Sequence, residues 1–267
     1  MRLATFNLLH GRSLSDGRVD IDRLRDAAAA LDADVLGMQE VDRAQPRSGG
    51  HDLTAEVAAA LGAHHSRFVP AVMGTPGQTW VPAVDSDHER GDSPAYGVGL
   101  VSRYPVRRWM VTRLAAAPVR SPILLLQPAA VAGAETGRSR VMWLRDEPRV
   151  LLAAVIDSPF GPMTVATTHL SFVPGWNGRQ LRQAVRALRN LPAPRVLLGD
   201  LNLPGLLPAW LTGWEMLATM PTYPTDDPRV QLDHVLGDGP LPPVRLARAV
   251  ATPLSDHRAV FIDLSPA

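Results

Sequence analysis

The sequence predicts an α/β sandwich with more strands than helices. Short apolar runs bounded by turn residues recur along the whole 267-residue chain, whereas few segments have helical periodicity. Many predicted strands follow one another without a helix between them, which disfavours a regular βαβ alternation. No internal repeat and no linker-like change of composition occurs, so we expect a single domain over residues 1–267.

The predicted strands share a short apolar core that ends at turn residues or at a charged side chain. In chain order they are Arg2–Leu8, Val35–Met38, Ser66–Val72, Gly97–Ser102, Val106–Leu114, Val150–Asp157, Met163–His169, Arg195–Leu198, Gln231–Leu236 and Val260–Leu264.

The predicted helices have apolar residues three and four positions apart. Asp20 is a predicted cap of the first helix. The helices are Asp20–Leu31, Asp52–Leu61, Asn177–Leu191 and a short fourth, Pro204–Leu211. Gly74–Pro94 and Gln127–Ser139 are rich in Gly, Pro, Ala or Asp and are predicted loops.

Composition excludes several kinds of site. The chain has no cysteine, which removes disulfide scaffolds, thiolate zinc sites and a cysteine nucleophile. All 27 basic residues are arginine, so Schiff-base chemistry and a P-loop lysine are excluded. The net charge of +1 argues against a nonspecific binder of long nucleic acid. The apolar run Ile123–Leu126 is far too short to span a membrane and no signal peptide is present, so we expect a cytoplasmic protein.

Polar residues of catalytic type lie at the ends of several predicted strands, just before the last one, or, for Asp233, within one. These positions border the clefts where α/β proteins place their sites. Each residue alone is more typical of a turn, but the set is hard to explain as caps. It comprises Asn7, Glu40, His169, Asp200, Asn202, Asp233, Asp256 and His257.

These residue types favour one chemistry. Glu40, Asp200, Asp256 and Asn7 offer oxygen ligands, which suit Mg²⁺ or Mn²⁺ better than zinc. No HxH or HExxH pattern occurs that would indicate zinc. Histidines and further carboxylates supply proton transfer and charge stabilisation for attack by water. The set therefore indicates metal-assisted phosphoester hydrolysis.

The order of the motifs resembles the endonuclease/exonuclease/phosphatase superfamily, which has the deoxyribonuclease-like fold. The matching segments occur in the family's order and span residues 5 to 258. They are Thr5-Phe6-Asn7, Met38-Gln39-Glu40-Val41, the run from Tyr96 to Pro105, Thr168-His169-Leu170, Leu198-Gly199-Asp200-Leu201-Asn202, Leu232-Asp233-His234-Val235 and Ser255-Asp256-His257-Arg258.

The resemblance implies a four-layer α-β-β-α sandwich with two packed mixed sheets and a site at one edge. Glu40 resembles the main metal ligand, with Asn7 and Asp256 beside it. Asp200 resembles the residue that orients or deprotonates the attacking water, and Asn202 would hold that water or a phosphate oxygen.

The same resemblance implies roles for the histidines. His257 and His169 would stabilise the phosphate or the leaving oxygen, and Asp233 would pair with one of them. The sequence leaves open which histidine it serves. His234 is expected to point the other way along its strand and to be structural.

Two residues are candidate substrate contacts. Arg149 either clamps a phosphate or forms a surface salt bridge, and His10 either borders the cleft or is solvent-exposed. On the third helix, Arg179, Arg182, Arg186 and Arg189 form a stripe that is either a solvated face or a contact for a polyanion. Trp176, just before that helix, is expected in packing rather than in stacking on a base or a lipid surface.

The fold does not choose the substrate. A phosphodiesterase for a small or lipid-type phosphodiester ranks first, because the charge is near zero and the segment from Asp42 to Leu53 resembles bacterial lipid-phosphodiesterase members. A Mg²⁺-dependent endonuclease or exonuclease on DNA or RNA ranks second. A non-catalytic binding module with the same fold and a zinc hydrolase are the remaining alternatives. The sequence does not determine the oligomeric state.

Overall fold

A computed structural model describes residues 1–118, 120–125 and 140–266. Its helices are α1 (Ile21–Leu31), α2 (Leu53–Leu61), α3 (Trp176–Leu188) and α4 (Leu207–Thr212). Its strands are β1 (Arg2–Asn7), β2 (Val35–Arg43), β3 (His65–Gly74), β4 (Trp80–Pro82), β5 (Ala95–Ser102), β6 (Val106–Leu114), β7 (Arg120–Leu125), β8 (Arg140–Arg145), β9 (Arg149–Ser158), β10 (Gly161–His169), β11 (Arg195–Asp200), β12 (Glu215–Met216), β13 (Asp233–Asp238), β14 (Val244–Val250) and β15 (Ala259–Leu264).

The strands form two large mixed sheets and one ribbon. The first sheet has the order β14-β15-β1-β2-β5-β3-β4, and only β1 and β2 are parallel in it. The second has the order β12-β13-β11-β10-β9-β6, with β10 and β11 as its parallel pair. The ribbon pairs β7 with β8. The predicted mixed sheets are confirmed.

Three apolar layers hold the sheets and helices together. Residues of both sheets, including Leu3 and Leu152, fill the space between the sheets. A second cluster packs α1 and α2 on the outer face of the first sheet, and a third packs α3 on the outer face of the second. The order of layers is therefore helix, sheet, sheet, helix.

Buried polar contacts also join the two sheets. The Gln39 amide on β2 donates to the hydroxyl oxygens of Thr5 on β1 and Thr167 on β10, at 3.0 and 2.9 Å. Gly37 faces the same contact, where a Cβ would lie 2.8 Å from the Thr167 Cβ. Glycine is needed here because the sheets approach too closely for a side chain.

Helix ends follow from local capping and proline. The Asp20 and Asp52 carboxylates accept from the backbone N–H groups that begin α1 and α2, which confirms the predicted cap of α1. The prediction that the third helix reaches Leu191 is wrong, since α3 ends at Leu188. Pro192 disfavours helical backbone at the residue before it. The fourth helix begins at Leu207, after Gly205 with φ +57°.

Several strand predictions need correction. Strand β2 does not stop at Met38 but continues to Arg43 through a bulge. The predicted loop Gly74–Pro94 contains β4 and a 3₁₀ turn at Asp85–Glu89. Strand β14 was not predicted, because its exposed Arg245 and Arg248 are three residues apart and a register shift between Val244 and Leu246 breaks the alternation. The predicted loop Gln127–Ser139 lies outside the described residues.

Within the described residues, no helix combines the length and apolar character required to cross a membrane.

Candidate active site

Four strand ends, a bulge in β2 and one loop bring the predicted polar residues together. In the second sheet His169 pairs in register with Asp200, and Asp200 pairs with Asp233, so three neighbouring strands present side chains at one level. Asn7 at the end of β1 is linked to Asp200 across the two sheets by a hydrogen bond of 3.1 Å. The loop before β15 adds Asp256 and His257. The site therefore lies where the two sheets share an edge.

A bulge in β2 presents Glu40. Met38 pairs with Gly99 and Val41 with Gly97, so Gln39 and Glu40 both lie opposite Val98. Glu40 has φ +53° and its carboxylate accepts from Asn7 Nδ2 at 3.2 Å. A positive φ in a non-glycine residue costs free energy and recurs at functional sites. Among the described residues Asn202 and Ser255, at φ +49° and +71°, share this feature and also border the site.

Asp200 lies at the centre of the buried set. Its Oδ2 accepts from Asn7 Nδ2, and its Oδ1 accepts from the Asn202 backbone N–H at 3.0 Å. Oδ2 also faces His169 Nε2 at 3.5 Å and His257 Nε2 at 3.7 Å. Burial raises the pKa of Asp200 to about 6, because it outweighs the attraction of His257 for the charged form. The carboxylate is thus ionised at neutral pH but close to accepting a proton.

Asp233 serves His257. The carboxylate Oδ2 of Asp233 and Nδ1 of His257 are 2.8 Å apart, and both groups are buried. Burial alone lowers the pKa of His257, but Asp233 and Asp200 outweigh it and raise the pKa to about 10. His257 is therefore an imidazolium at neutral pH, with Nε2 turned towards Asp200.

His169 has the opposite charge state. Its Nδ1 lies 3.4 Å from Arg149 Nη1, and its Nε2 lies 3.2 Å from Asn202 Nδ2. Both neighbours are donors, so neither favours a second proton on the ring. Burial, followed by the charges of Arg149 and His257, lowers the pKa of His169 well below its usual value. His169 is neutral.

Arg149 is buried rather than exposed at the surface. It is 6% exposed, so the alternative of a surface salt bridge is wrong. Its guanidinium lies 3.8 Å from Asp146 and 3.9 Å from Glu147, which are long ion pairs. Nε has no hydrogen-bond partner among the described residues. The cation therefore keeps unused hydrogen-bonding capacity next to His169.

The site has an excess of carboxylates, which favours the binding of a cation. Glu40, Asp200, Asp233 and Asp256 outnumber the two cations of the site, His257 and Arg149, and Arg149 also lies beside Asp146 and Glu147. Burial, and then the charge of Asp256, raises the pKa of Glu40 to about 7. A divalent cation between Glu40 and Asp256 would relieve this repulsion, and oxygen ligands suit Mg²⁺. The residues present thus fit the predicted metal.

Two details refine the predicted ligand set. Asn7 turns Nδ2 towards Glu40, while its Oδ1 accepts from the Leu9 N–H at 3.0 Å. In this arrangement Asn7 orients Glu40 rather than offering a free oxygen. Asp200, Asp233 and His257 also have ligand atoms within 4.8 Å of one another. Their protonated histidine and its short ion pair make that trio a poor cation site.

Sequence reasoning missed four side chains that shape the cleft. Tyr223 packs on His257 with ring centroids 4.9 Å apart. The Ser255 hydroxyl donates to the Asn7 carbonyl and accepts from the His257 N–H. Arg47 forms two hydrogen bonds with Asp42 and lies 5.6 Å from the Tyr96 ring. Arg47 and Tyr96 stand in the quoted motifs, but nothing in their spacing predicted that they would meet.

The two remaining histidines that the sequence singled out, His10 and His234, have different surroundings. His10 has φ +49° and lies near Arg47, and burial followed by the Arg47 and Arg12 charges lowers its pKa to about 3. His234 is fully buried and points away from the cleft, with Nε2 donating to the Leu203 carbonyl at 2.8 Å. Its predicted direction is confirmed.

The profile of the Endonuclease/Exonuclease/phosphatase family matches residues 4–257. The chain belongs to this family. Members of the family are hydrolases that act on phosphoesters. The match covers every residue of the site described above, from Asn7 to His257. No curated protein matches the chain in a sequence search.

Solved structures share the fold of this family member at low identity. An endonuclease/exonuclease/phosphatase from Beutenbergia cavernae has a TM-score of 0.67 and 24% identity, covering 100% of this chain and 71% of that one. A mannosyl-6-phosphatase from Bacteroides thetaiotaomicron has a TM-score of 0.65 and 14% identity, covering 99% of each chain. Sphingomyelinase C from Streptomyces griseocarneus has a TM-score of 0.60 and 17% identity, also covering 99% of each chain.

Proposed function

We propose that this protein is a Mg²⁺- or Mn²⁺-dependent phosphodiesterase that hydrolyses its substrate by attack of water. The observation that carries the proposal is the buried pair of His257 and Asp233, whose imidazolium Nε2 lies 3.7 Å from Asp200. A fixed cation beside a carboxylate that is ready to accept a proton suits a reaction in which water loses a proton while charge builds on a phosphate.

The residues take complementary roles in this proposal. Asp200 orients the water and accepts its proton, and Asn202 holds the water or a phosphate oxygen. His257 stabilises the charge that develops on the phosphate. His169, which is neutral, contacts the phosphate or the leaving oxygen without adding charge. Arg149 binds the substrate anion through its unused donors, and His10 lies at the rim.

Glu40 and Asp256 would hold the metal, with Asn7 fixing the Glu40 carboxylate. The bound metal would supply Lewis-acid stabilisation of a phosphate oxygen. Without a metal ion, the four carboxylates outnumber His257 and Arg149 and would repel a phosphodiester. This charge balance supports a metal-dependent reaction.

Hydrolysis of bis-p-nitrophenyl phosphate tests the proposal. Activity is expected with Mg²⁺ or Mn²⁺ and is expected to disappear with a chelator. Asp200→Asn and His257→Ala should each lower kcat by at least ~10²-fold, because each removes a group that acts in the transition state. His234→Gln is the matched control, since His234 is adjacent to Asp233 but faces away from the cleft.

Equal turnover in wild type, Asp200→Asn and His257→Ala would contradict the proposal. Turnover that is unaffected by chelator would contradict metal dependence. Absence of both turnover and Mg²⁺ binding by calorimetry would favour a non-catalytic module with this fold.

The substrate is the open part of the proposal, and a small or lipid-type phosphodiester is favoured over nucleic acid. The net charge of +1 supports this choice, because duplex binding relies on a basic field. A panel of plasmid DNA, single strands, RNA, sphingomyelin and inositol phosphates decides it. Cleavage of DNA or RNA at rates above those for the lipid and small substrates would make the protein a nuclease.

A further inference from the structure

Four arginines on α3 form a surface that the proposed chemistry does not use. Arg179, Arg182, Arg186 and Arg189, here called the basic face, are all exposed. Leu181, Val185 and Leu188 on the opposite side of the helix are buried against the second sheet, as predicted. None of the four side chains has an ion pair among the residues that the structure describes, and Arg179 stacks on Trp176 at 4.8 Å.

The neighbouring sequence offers this face no counter-charge. No Asp or Glu occurs between Asp157 and Asp200, and none occurs between Asp200 and Glu215. The chain as a whole carries a net charge of only +1, so the basic face is a local concentration of charge. Unpaired guanidinium groups in such a cluster favour an anionic partner, and they bind phosphate oxygens in pairs.

Exposed apolar side chains lie beside the basic face. Leu206, Leu207 and Trp210, here called the apolar ridge, are 64%, 42% and 81% exposed. They belong to α4 and the turn before it, and they are half of the large exposed apolar side chains among the described residues. Such clustering within five residues marks an interaction surface rather than scattered exposure.

Helices α3 and α4 pack together and make the two features continuous. The groove between them is lined by Arg182, Arg186 and Arg189 on one side and by Leu211 and Thr212 on the other. Gly178 lies at this contact, where a Cβ would be 3.3 Å from the Leu211 side chain. Trp210 directly precedes Leu211, so an exposed indole lies at the border of a basic groove.

We infer that the basic face and the apolar ridge dock the protein on a bilayer with anionic lipid headgroups. Such a bilayer satisfies both features, since phosphate groups pair with arginine and the interfacial region accepts Trp and Leu. A nucleic acid offers phosphates and bases for Trp210 but leaves the two leucines without a partner. A second copy would place one basic face against another in a two-fold dimer, which charge repulsion opposes.

The docking surface adjoins the cleft. The Asn177 side chain on α3 donates to the Asn202 backbone carbonyl at 2.7 Å, and Asn202 precedes Leu206 by only four residues. The N-terminal end of α3 and the segment that leads to α4 are therefore anchored at a residue of the site. The docking itself does not depend on the proposed hydrolysis.

Vesicle co-sedimentation in the presence of chelator tests docking separately from activity. The protein is expected to sediment with vesicles of equal parts phosphatidylcholine and phosphatidylglycerol, less so at high salt, and not with phosphatidylcholine alone. Arg182→Gln with Arg186→Gln, and separately Trp210→Ala, should each lower the partition coefficient by about tenfold. Arg245→Gln with Arg248→Gln on β14 removes the same charge elsewhere and should leave binding unchanged.

Three results would overturn the inference. One is failure of the wild type to sediment with the anionic vesicles, and another is a loss of binding in the β14 variant equal to that in the α3 variant. Tighter binding to DNA than to vesicles, lost in the α3 variant, would assign the surface to nucleic acid instead. Far-UV circular dichroism of each variant checks that the fold is retained.

Discussion

His169 and His257 lie in one cleft with different charges, and their immediate neighbours explain why. The carboxylate of Asp233 faces His257 at 2.8 Å, whereas the guanidinium of Arg149 faces His169 at 3.4 Å. Both rings are buried, so a nearby charge has a strong effect. Asp233, together with Asp200, therefore makes His257 a cation, whereas burial and then the charge of Arg149 keep His169 neutral.

Removing the Arg149 charge should raise the pKa of His169. In Arg149→Met the ring remains buried, so we expect the pKa to rise without reaching its usual value. Arg149→Lys keeps the cation and should leave the pKa of His169 close to that of the wild type. Histidine resonances followed by NMR over a pH titration measure the effect. An unchanged pKa in Arg149→Met would show that the charge of Arg149 does not contribute to the low pKa of His169.

His234 should make the fold sensitive to acid. Burial lowers its pKa to about 4, while the unfolded chain has the usual value near 6.5. The neutral ring is favoured in the folded state, so its contribution is complete above about pH 6.5 and is lost as pH falls towards about 4. Between about pH 8 and about pH 5 the wild type should lose about 2 kcal/mol more unfolding free energy than His234→Gln.

Urea denaturation at both pH values measures this difference. Glutamine can keep the donor to the Leu203 carbonyl but does not titrate, so it is the suitable replacement. Parallel pH dependence in the two proteins would mean that His234 does not cause the sensitivity.

At the scale of elements, strands place the site residues in ways that a linear pattern does not reveal. At the bulge in β2 the adjacent residues Gln39 and Glu40 make contacts with different parts of the molecule. Gln39 joins the two sheets through Thr5 and Thr167, while Glu40 reaches the cleft. In a regular strand Gln39 and Glu40 would also point to opposite faces. The bulge adds the φ of +53° at Glu40, which a regular strand would not have.

The contact between the sheets at Gly37 should not tolerate a methyl group. In Gly37→Ala the new Cβ would lie 2.8 Å from the Thr167 Cβ and 3.3 Å from the Leu198 Cβ. Overpacking of this kind should destabilise the fold by about 1–3 kcal/mol. Gly91→Ala is the control, since no atom lies within 4 Å of its Cβ position. Thermal unfolding compares the variants, and equal stability of both would show that the sheets can separate locally without cost.

At the scale of the whole molecule, the two sheets share one apolar interior. Leu3 and Ile262 of the first sheet and Leu152 and Val196 of the second belong to a single buried cluster. The site residues also come from both sheets, with Asn7 hydrogen-bonded to Asp200. Neither sheet can leave the other without exposing this interior and separating the site.

Unfolding in urea should therefore be one cooperative transition. Far-UV circular dichroism reports the sheets, and tryptophan fluorescence reports side chains such as Trp109 and Trp214 in different layers. The two curves should coincide. Two separated midpoints would instead favour sheets or subdomains that unfold independently, and would contradict the expectation of one domain over residues 1–267.

The sequence by itself determined the fold class, most of the strands and the family. Strand cores such as Val106–Leu114 and helix caps such as Asp20 are local signals, since burial and capping act within a few residues. The site residues were recognisable too, because polar side chains at strand ends interrupt an apolar pattern. Strand β14 was not predicted because a register shift near its start and two exposed arginines three residues apart break the period-two alternation.

Only the tertiary structure decided which of those residues contact one another and which charge each one carries. Asp233 begins a strand of the second sheet and pairs with His257, which precedes a strand of the first sheet, so the packing of the two sheets brings them together. Arg149 is buried against His169 by the pairing of β9 with β10. The meeting of the basic face with the apolar ridge requires α3 and α4 to pack across Gly178. Charge states and surfaces depend on neighbours distant in sequence, because electrostatic and packing effects act through space.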